Sequence, residues 1–248
     1  MKTLLLSVCA LICAASSVLS QEIRLDSLWA KFGGVGAMSF SPDSKTLILA
    51  EPQKLAGGSG TIRFYDPATG IEKDSIPGTE SYDLRYTPDG KRIVQVGFGG
   101  EIKLYNAETY KLEKSVNAPQ NAGYIDFSAD GNIIVSAGSN VITVVDITEG
   151  VVKAVIKRPY QYSTGPNKTE YYRNGKVCFS ADGRYVIGKY ANALVRWDWQ
   201  TVPDKPETLI PLIPNRAILS FSPDKHYLVQ QSNYLWNIIE KKTHYSSP

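Results

Sequence analysis

The stretch that decides the fold is Phe127-Ser128-Ala129-Asp130-Gly131, because it recurs along the chain with a near-constant period. Equivalent pentapeptides begin at Phe40, Tyr86, Phe179 and Phe221, so the starts lie between 41 and 52 residues apart. Self-similarity at such a period is typical of proteins in which each repeat is one supersecondary element. The chain is therefore expected to be an array of five similar units.

Each pentapeptide lies between two apolar or alternating runs, such as Tyr124–Phe127 and Ile133–Ala137 around the central copy. Because Asp bonds its local backbone and Gly accepts positive φ, two such runs joined in this way predict a β-hairpin. The alternative is that the five aspartates are catalytic groups or metal ligands. All five aspartates occupy the same position in their repeats, which favours a structural role in turns at one rim of the fold. These aspartates are Asp43, Asp89, Asp130, Asp182 and Asp224.

A second signature follows each hairpin: a short strand that ends in an aromatic residue or Val and then Asp or Asn. The copies are Ile62–Asp66, Ile102–Asn106, Ile142–Asp146, Leu194–Asp198 and Asn233–Asn237. A turn comes next, followed by a fourth strand, as in Ile71–Ile76 and Val152–Lys157. Four short strands in roughly 45 residues are the content of one β-propeller blade.

These motifs resemble the WD40-like and the related YVTN-type β-propeller repeats over nearly all of residues 22–248, and Trp197-Asp198 resembles the WD dipeptide itself. The resemblance implies an all-β fold, a β-propeller of about five four-stranded blades or an incomplete larger ring. It specifies the architecture rather than an activity. No Gly-His dipeptide precedes a first strand, so the buried Asp-His-Ser/Thr network of many eukaryotic WD40 repeats is not carried over.

The N-terminus has the features of a secretory signal peptide. Lys2 gives a positive n-region, Leu4–Leu19 is mostly apolar, and Val18-Leu19-Ser20 places small residues at positions −3 and −1. We expect a signal peptide over residues 1–20 and a WD40-like propeller domain over residues 21–248. The mature protein is then secreted, extracellular or periplasmic, without stable membrane insertion after cleavage. A signal anchor is the alternative.

The closure of the ring is left open by the sequence. Ile23–Leu28 resembles the fourth strand Ile71–Ile76, so the mature chain begins with an outer strand that has no blade of its own. Lys241–Tyr245 also predicts a fourth strand, which gives six outer strands for five inner triplets. The ring has five blades with one redundant edge, or it is incomplete and forms a homo-oligomer, or the gene product is truncated.

Composition argues against several classes of function. Basic residues number 27 and acidic residues 24, and no basic block or aromatic-basic stripe indicates nucleic acid. Outside the expected signal peptide the one cysteine is Cys178, which we expect to be a buried strand residue. His226 and His244 lack ligands at metal-binding spacing, so no metal and no cofactor are expected.

The longest repeat spacing comes from an insertion, Arg158–Gly175, which we expect to be a loop on the rim opposite the Asp-Gly turns. Tyrosine gives a large contact area at low entropic cost, so this tyrosine-rich segment is the candidate partner-binding loop. Its alternative role is a surface loop packed on the blade below. Asn167 begins a glycosylation sequon that matters in a eukaryotic host. The candidate binding residues are Tyr160, Tyr162, Tyr171, Tyr172 and Arg173.

Arg196 is the candidate channel or rim charge, because it occupies a position that Phe64, Leu104, Val144 and Leu235 hold in the other repeats. A charge on a blade face must pair or reach the rim. It either faces a ligand or forms a structural ion pair with an Asp or Glu of an adjacent blade.

Three functions are compatible with these patterns. The first is a protein-interaction or ligand-binding scaffold, not an enzyme, that engages an unidentified protein or small ligand through its top-face loops. The second is a propeller enzyme, lactonase-like or hydrolase-like, that acts on a small molecule or glycan in the central channel. No Ser-His-Asp order, nucleophile elbow or phosphate loop supports it. The third is a structural subunit of an envelope complex.

Overall fold

The computed structural model describes residues 36–51, 60–77, 81–97, 100–119, 123–138, 141–157, 161–165, 168–171, 176–190, 193–212, 218–230, 234–240 and 242–245. Within these ranges the chain forms β-strands joined by turns, and no α-helix. Five antiparallel sheets have four strands each and a sixth has two, which confirms the all-β class and the four-stranded repeat. The expected signal peptide and the outer strand at Ile23–Leu28 lie outside the described residues.

Each four-stranded sheet is a meander whose strands follow one another in chain order. The first sheet contains β1 (Ala37–Phe40), β2 (Leu47–Glu51), β3 (Thr61–Tyr65) and β4 (Glu72–Pro77). The second contains β5 (Asp83–Tyr86), β6 (Arg92–Val96), β7 (Glu101–Asn106) and β8 (Leu112–Asn117). The third contains β9 (Ile125–Phe127), β10 (Ile133–Ala137), β11 (Val141–Asp146) and β12 (Val151–Lys157). A two-stranded sheet, β13 (Gln161–Gly165) and β14 (Lys168–Tyr171), follows. The fourth four-stranded sheet contains β15 (Val177–Phe179), β16 (Tyr185–Tyr190), β17 (Ala193–Asp198) and β18 (Val202–Pro211). The fifth contains β19 (Ile218–Phe221), β20 (Tyr227–Gln230), β21 (Tyr234–Asn237) and β22 (Lys242–Tyr245).

The insertion Arg158–Gly175 differs from the expected loop, because β13 and β14 pair within it as an antiparallel hairpin. Its sequence carries the cause: two Tyr- and Thr-containing runs flank Gly165-Pro166-Asn167, whose residue types favour a turn. The repeat that follows β12 is therefore separated from it by a β-ribbon.

The chain divides into two compact units, one ending at Glu80 and the other beginning at Ser81. The first unit holds the first sheet, where Leu47, Leu49 and Tyr65 form a small buried apolar cluster. The second unit holds the other four meanders and the hairpin.

Inside the second unit the meanders stack in chain order, the second on the third, the third on the fourth and the fourth on the fifth. In the third sheet the second and third strands are apolar at most positions, as Ile133–Ala137 and Val141–Asp146 show. Strands with this composition are buried on both faces, and such burial is what consecutive stacking provides. Each interface is an apolar cluster made by residues from two successive repeats.

The fifth sheet keeps one apolar face open. Val229 and Leu235 oppose each other across β20 and β21, and they are 38% and 39% exposed. The side chains at the equivalent positions of the second and third sheets are at most 1% exposed; they are Val94, Leu104, Val135 and Val144. These two side chains are therefore less covered than their equivalents in the second and third sheets.

All five hairpin turns are closed by the same hydrogen bonds. In each, a Ser or Thr hydroxyl donates to the Asp two residues later, at 2.5 to 2.7 Å. The same hydroxyl oxygen accepts the backbone N–H five residues later, and the carboxylate accepts the N–H two residues beyond itself. The hydroxyl bond is the largest cause of the lowered pKa in all five carboxyl groups. The predicted turn role of these aspartates is thus confirmed.

One residue of each hairpin turn has positive φ, and two of the five are not glycine. Gly90, Gly131 and Gly183 lie between 71° and 73°, whereas Ser44 is at 60° and Lys225 at 62°. A residue with a Cβ pays about 1–2 kcal/mol of conformational energy to adopt a positive φ. Ser44 and Lys225 therefore store strain that the other three turns avoid.

Ser44→Gly is expected to raise the free energy of unfolding by about 0.5–1 kcal/mol, because relief of strain exceeds the added entropy of the unfolded chain. Urea denaturation measures the change. The matched control is Gly183→Ser, where a Cβ would have no neighbour within 4 Å, so only the backbone strain is added. That control should lose a similar amount. A less stable Ser44→Gly variant would contradict the strain assignment.

The Asp or Asn that ends each third strand organises the next turn. Asp66 Oδ1 accepts the N–H groups of Ala68 and Thr69 at 2.8 and 3.3 Å, and the other four repeats make the same pair of bonds. This is the Asx-turn for which these side chains are suited. The second sequence signature is therefore a turn former like the first.

In two repeats the aromatic residue near the end of the third strand forms a hydrogen bond with a glutamine of the second strand. Tyr105 donates its hydroxyl to Gln95 at 2.9 Å, and the Trp236 indole N–H donates to Gln230 at 3.1 Å. Burial, and secondarily Glu101, raises the pKa of Tyr105 to about 12. In both repeats the buried glutamine side chain of the second strand therefore has a hydrogen-bond partner on the third strand.

Candidate functional site

The first strand of each sheet pairs with a single neighbouring strand, so its other backbone edge is open to other groups. Carboxylates occupy two of these edges in the second unit. Asp83 Oδ2 accepts the N–H of Ile125 at 2.9 Å, and Asp126 Oδ2 accepts the N–H of Phe179 at 3.1 Å. Each carboxylate joins the first strand of one sheet to the first strand of the next.

Asp83 at the start of β5 is held by several donors. Its Oδ1 accepts the N–H of Leu84 at 2.9 Å, and Arg85 Nε lies 3.3 and 3.1 Å from its two oxygens. The residue is 7% exposed. Among the described residues, Asp83 is the one ion-pair partner of Arg85, and it engages the guanidinium through Nε. The terminal nitrogens of Arg85 lie outside this pair.

Lys176 immediately precedes β15 and lies beside this pair. Its Nζ is 5.4 Å from the centroid of the Tyr124 ring, within the range of a cation–π contact. Burial lowers the pKa of Lys176 and Arg85 lowers it further, while Asp83 acts in the opposite direction. In the described part of the chain Lys176 has no ion-pair partner. We call Asp83, Arg85, Tyr124 and Lys176 the first-strand cluster.

The first-strand cluster has two cations and one carboxylate, and the carboxylate is already bonded by Arg85 and two backbone amides. Two cations close together in a half-buried site repel each other, and an anion placed near both adds an attraction that offsets this repulsion. The chemistry available here is the binding of a negative group. Asp83 is the one acidic side chain of the cluster.

Asp126 is the centre of a second arrangement, which we call the Asp126 junction. Lys225 Nζ lies 3.1 and 2.9 Å from its two oxygens, and Phe179 donates its backbone N–H to Oδ2. Lys225 lies in the turn before β20, so the junction links the third, fourth and fifth sheets. Both charged side chains are about four-fifths buried. This arrangement binds the three sheets to one another.

Cys178 lies next to the Asp126 junction in β15 and is 1% exposed. Burial raises the pKa of its thiol, and Asp126 adds to that effect, while Lys225 opposes it. A protonated, buried thiol is a poor nucleophile. The expected buried strand role of Cys178 is confirmed.

Arg196 forms the expected ion pair, but the partner lies in its own sheet. Its Nη2 is 2.8 Å from Glu207, which opposes it on β18, and its guanidinium lies 4.2 Å from the centroid of the Tyr185 ring. The expected partner on an adjacent blade is therefore wrong. Cross-strand neighbours are the closest available charges, because directly opposed residues of an antiparallel pair share one face. Arg196 is a third-strand residue and does not belong to the first-strand cluster.

Two of the five candidate partner-binding residues lie within the described part of the chain. Tyr160, Tyr172 and Arg173 lie outside the described residues. Tyr162 is on β13 opposite Glu170, and Tyr171 is on β14 opposite Gln161. The partner-binding role of all five residues stays a prediction. The sequence position of the ribbon is informative, since it ends shortly before Lys176 of the first-strand cluster.

Sequence reasoning missed the first-strand cluster and the Asp126 junction. The available signal was the presence of Asp83, Arg85, Asp126 and Lys176 in or beside first strands that are otherwise apolar. A second signal was Lys225, which replaces the glycine found at three equivalent turn positions. Neither signal identifies the partners on other sheets, because Asp83 and Ile125, like Asp126 and Lys225, are distant in the chain.

Over the described ranges, no group of three or more His, Cys, Asp or Glu side chains is arranged to hold a metal ion. In the same ranges no helix has the length and apolar composition needed to cross a membrane. No protein-family model matches the chain, and no curated protein matches it in sequence.

Proposed function

We propose that the protein is a secreted or periplasmic β-propeller, similar to the WD40-like and YVTN-type families, that binds a protein or small ligand. The binding face is the one where the first strands begin. The observation that carries the proposal is the first-strand cluster, which brings two cations and one carboxylate together in or beside the first strands of three successive sheets.

Two features of the structure support a propeller. Every repeat is a four-stranded meander with the same two turn networks, and four of the meanders stack face to face in chain order. Blades of a propeller have this composition and this order of stacking. In such a ring the first strands line the central channel, so Asp83, Arg85, Tyr124 and Lys176 would stand at its mouth.

The position of the tyrosine-rich ribbon supports the same face. The ribbon lies between β12 and β15 in the chain, and Lys176 immediately precedes β15. Loops held by a rigid scaffold commonly carry binding residues. We therefore place Tyr160, Tyr162, Tyr171, Tyr172 and Arg173 in the proposed binding surface, with the first-strand cluster beside them. The signal peptide expected over residues 1–20 supports secretion to the periplasm or the exterior.

The test of this function is the capture of a partner by the immobilised mature chain from the extracellular or periplasmic fraction of its source cells. The double variant Tyr162→Ala/Tyr172→Ala is expected to reduce the captured partner at least about tenfold, since interface tyrosines often contribute 1–2 kcal/mol or more each. Its melting temperature should match that of the unsubstituted chain. Tyr227→Ala is the matched control, because Tyr227 is an exposed tyrosine of the fifth sheet.

Equal capture by the double variant and by the Tyr227→Ala control would overturn the proposed role of the ribbon. A large drop in melting temperature for the double variant would assign its tyrosines to the core instead. Both outcomes are measured on the double variant and the Tyr227→Ala control. Circular dichroism monitors their thermal unfolding.

A further inference from the structure

We propose that the first-strand cluster is a binding site for a single carboxylate carried on an apolar group, such as the C-terminal residue of a hydrophobic peptide or an N-acylated aromatic amino acid. This inference deepens the proposed binding function and rests on it for its biological role. The geometry that supports it involves only the described residues of the second unit.

The need for an anion follows from the partners of the two cations. Arg85 is bonded to Asp83 through Nε, and its remaining N–H groups form the planar, two-pronged edge that matches a carboxylate. Lys176 Nζ contacts the Tyr124 ring and has no acidic partner among the described residues. A half-buried ammonium group beside a guanidinium is stabilised most strongly by a charged hydrogen-bond acceptor.

The number of charges favours a monoanion. Asp83 balances one of the two cations, so one positive charge is left over in the cluster. A carboxylate of one negative charge neutralises it, whereas a phosphate dianion would bring an excess charge close to the buried Asp83. A carboxylate also accepts from both cations at once, since it has two oxygens with about four acceptor sites.

The apolar part of the ligand is indicated by Tyr124. This tyrosine directly precedes β9 and is 39% exposed, and one of its ring contacts is with Lys176. An exposed aromatic ring next to an anion site offers an apolar surface to the group that carries the carboxylate. Small ligands gain affinity from such burial together with a few well-placed polar groups.

The experiment titrates the isotopically labelled mature chain with N-acetyl-phenylalanine and follows amide resonances by nuclear magnetic resonance. The Ile125 amide is the reporter, because its N–H is bonded to Asp83 within the cluster. A saturable shift is expected for the acid. N-Acetyl-phenylalaninamide, which lacks the charge, should bind at least about tenfold more weakly, the change expected for a lost charged hydrogen bond. N-Acetylglycine, which lacks the ring, should also bind more weakly.

Lys176→Met retains most of the side-chain length and removes the charge, so it should weaken binding of the acid at least about tenfold. Lys153→Met is the matched control, since Lys153 pairs with Glu149 and Asp146 at a distance from the cluster in sequence and in sheet position. The control should bind the acid like the unsubstituted chain.

Three results would overturn the carboxylate site: no saturable shift of Ile125, equal affinity for acid and amide, or full affinity in Lys176→Met. The comparison of acid with amide uses the unsubstituted chain. It therefore tests whether the cluster recognises a carboxylate even if a variant folds poorly. The titration contains no protein partner. Failure of the ribbon variants to alter partner capture would therefore leave its result unchanged, and the two proposals fail separately.

Discussion

Trp197→Ala is expected to lower the free energy of unfolding by about 3–5 kcal/mol, the usual cost of removing a fully buried large aromatic side chain. Trp197 is 1% exposed and belongs to the apolar cluster between the third and fourth sheets. Its ring meets Tyr190 edge to face, with centroids 6.3 Å apart. The cavity would open between two sheets, where neighbouring side chains from both sides lose contacts at once.

Space for this ring depends on a glycine in the neighbouring strand. A Cβ at Gly188 would lie 3.5 Å from Trp197 Cζ3 and 2.9 Å from Val177 Cγ1. In the repeats that carry Gln95 and Gln230 at the equivalent position, a tyrosine hydroxyl or an indole N–H bonds the amide instead. The tight fit at Gly188 leaves the surrounding strands little freedom to collapse into the space of a lost indole, which places the expected cost at the upper end of the range.

The matched control is Trp199→Ala, two residues further along the chain. Trp199 is only half-buried, and its indole N–H donates to the carbonyl of Gly183 at 3.0 Å. Its removal should cost about 1–2 kcal/mol, for one hydrogen bond and a partial loss of apolar contact. Urea denaturation with an unchanged m value measures both variants. Equal losses for the two tryptophans would contradict the packing described here.

Asp126→Ala is expected to cost about 2–4 kcal/mol, because it leaves Lys225 without its anion and the Phe179 N–H without an acceptor. Lys225→Met should cost less, about 1–2 kcal/mol, since Asp126 still accepts from Phe179. Both residues at position 225 carry a Cβ, so the strain of the positive φ is the same in the two chains.

A double-mutant cycle separates the ion pair from these other effects. If Lys225 and Asp126 interact as the structure shows, the combined loss in Asp126→Ala/Lys225→Met should fall short of the sum of the single losses by at least about 1 kcal/mol. Asp130→Ala serves as the control partner for Lys225→Met, because Asp130 lies in a turn and bonds its own segment. That pair should be additive. Additive losses for Asp126 and Lys225 would show that their pair contributes nothing in solution.

The turns could be predicted from the sequence because the hydrogen bonds that close them are local. Ser128 reaches Asp130 and Ile133, so the pentapeptide and the next few residues contain the groups that form these bonds. The same holds for the Asp or Asn that ends each third strand. Two short signatures therefore sufficed for the strand order of every repeat, although the structure of the insertion differed from the predicted loop.

The charged arrangements could not be predicted because the partners that join different sheets are far apart in the chain. Asp126 and Lys225 are 99 residues apart, and Asp83 and Ile125 are 42 apart. A sequence pattern shows that such a residue is unusual in its strand, but the partner depends on how the sheets stack. Arg196 is the intermediate case: its need for an anion was predictable, whereas its partner Glu207 required the register of β17 and β18.

The meander topology also bears on how the chain acquires its structure during synthesis. All-β proteins tend to fold slowly, since pairing of distant strands requires the closure of long loops. In the five described meanders each strand pairs with the strand next to it in the chain, so a sheet is complete once roughly 45 residues have left the ribosome. In the second unit each newly formed sheet can then pack on the folded sheet that precedes it in the chain. The Lys225–Asp126 contact is an exception, because it must wait for the turn of the final repeat.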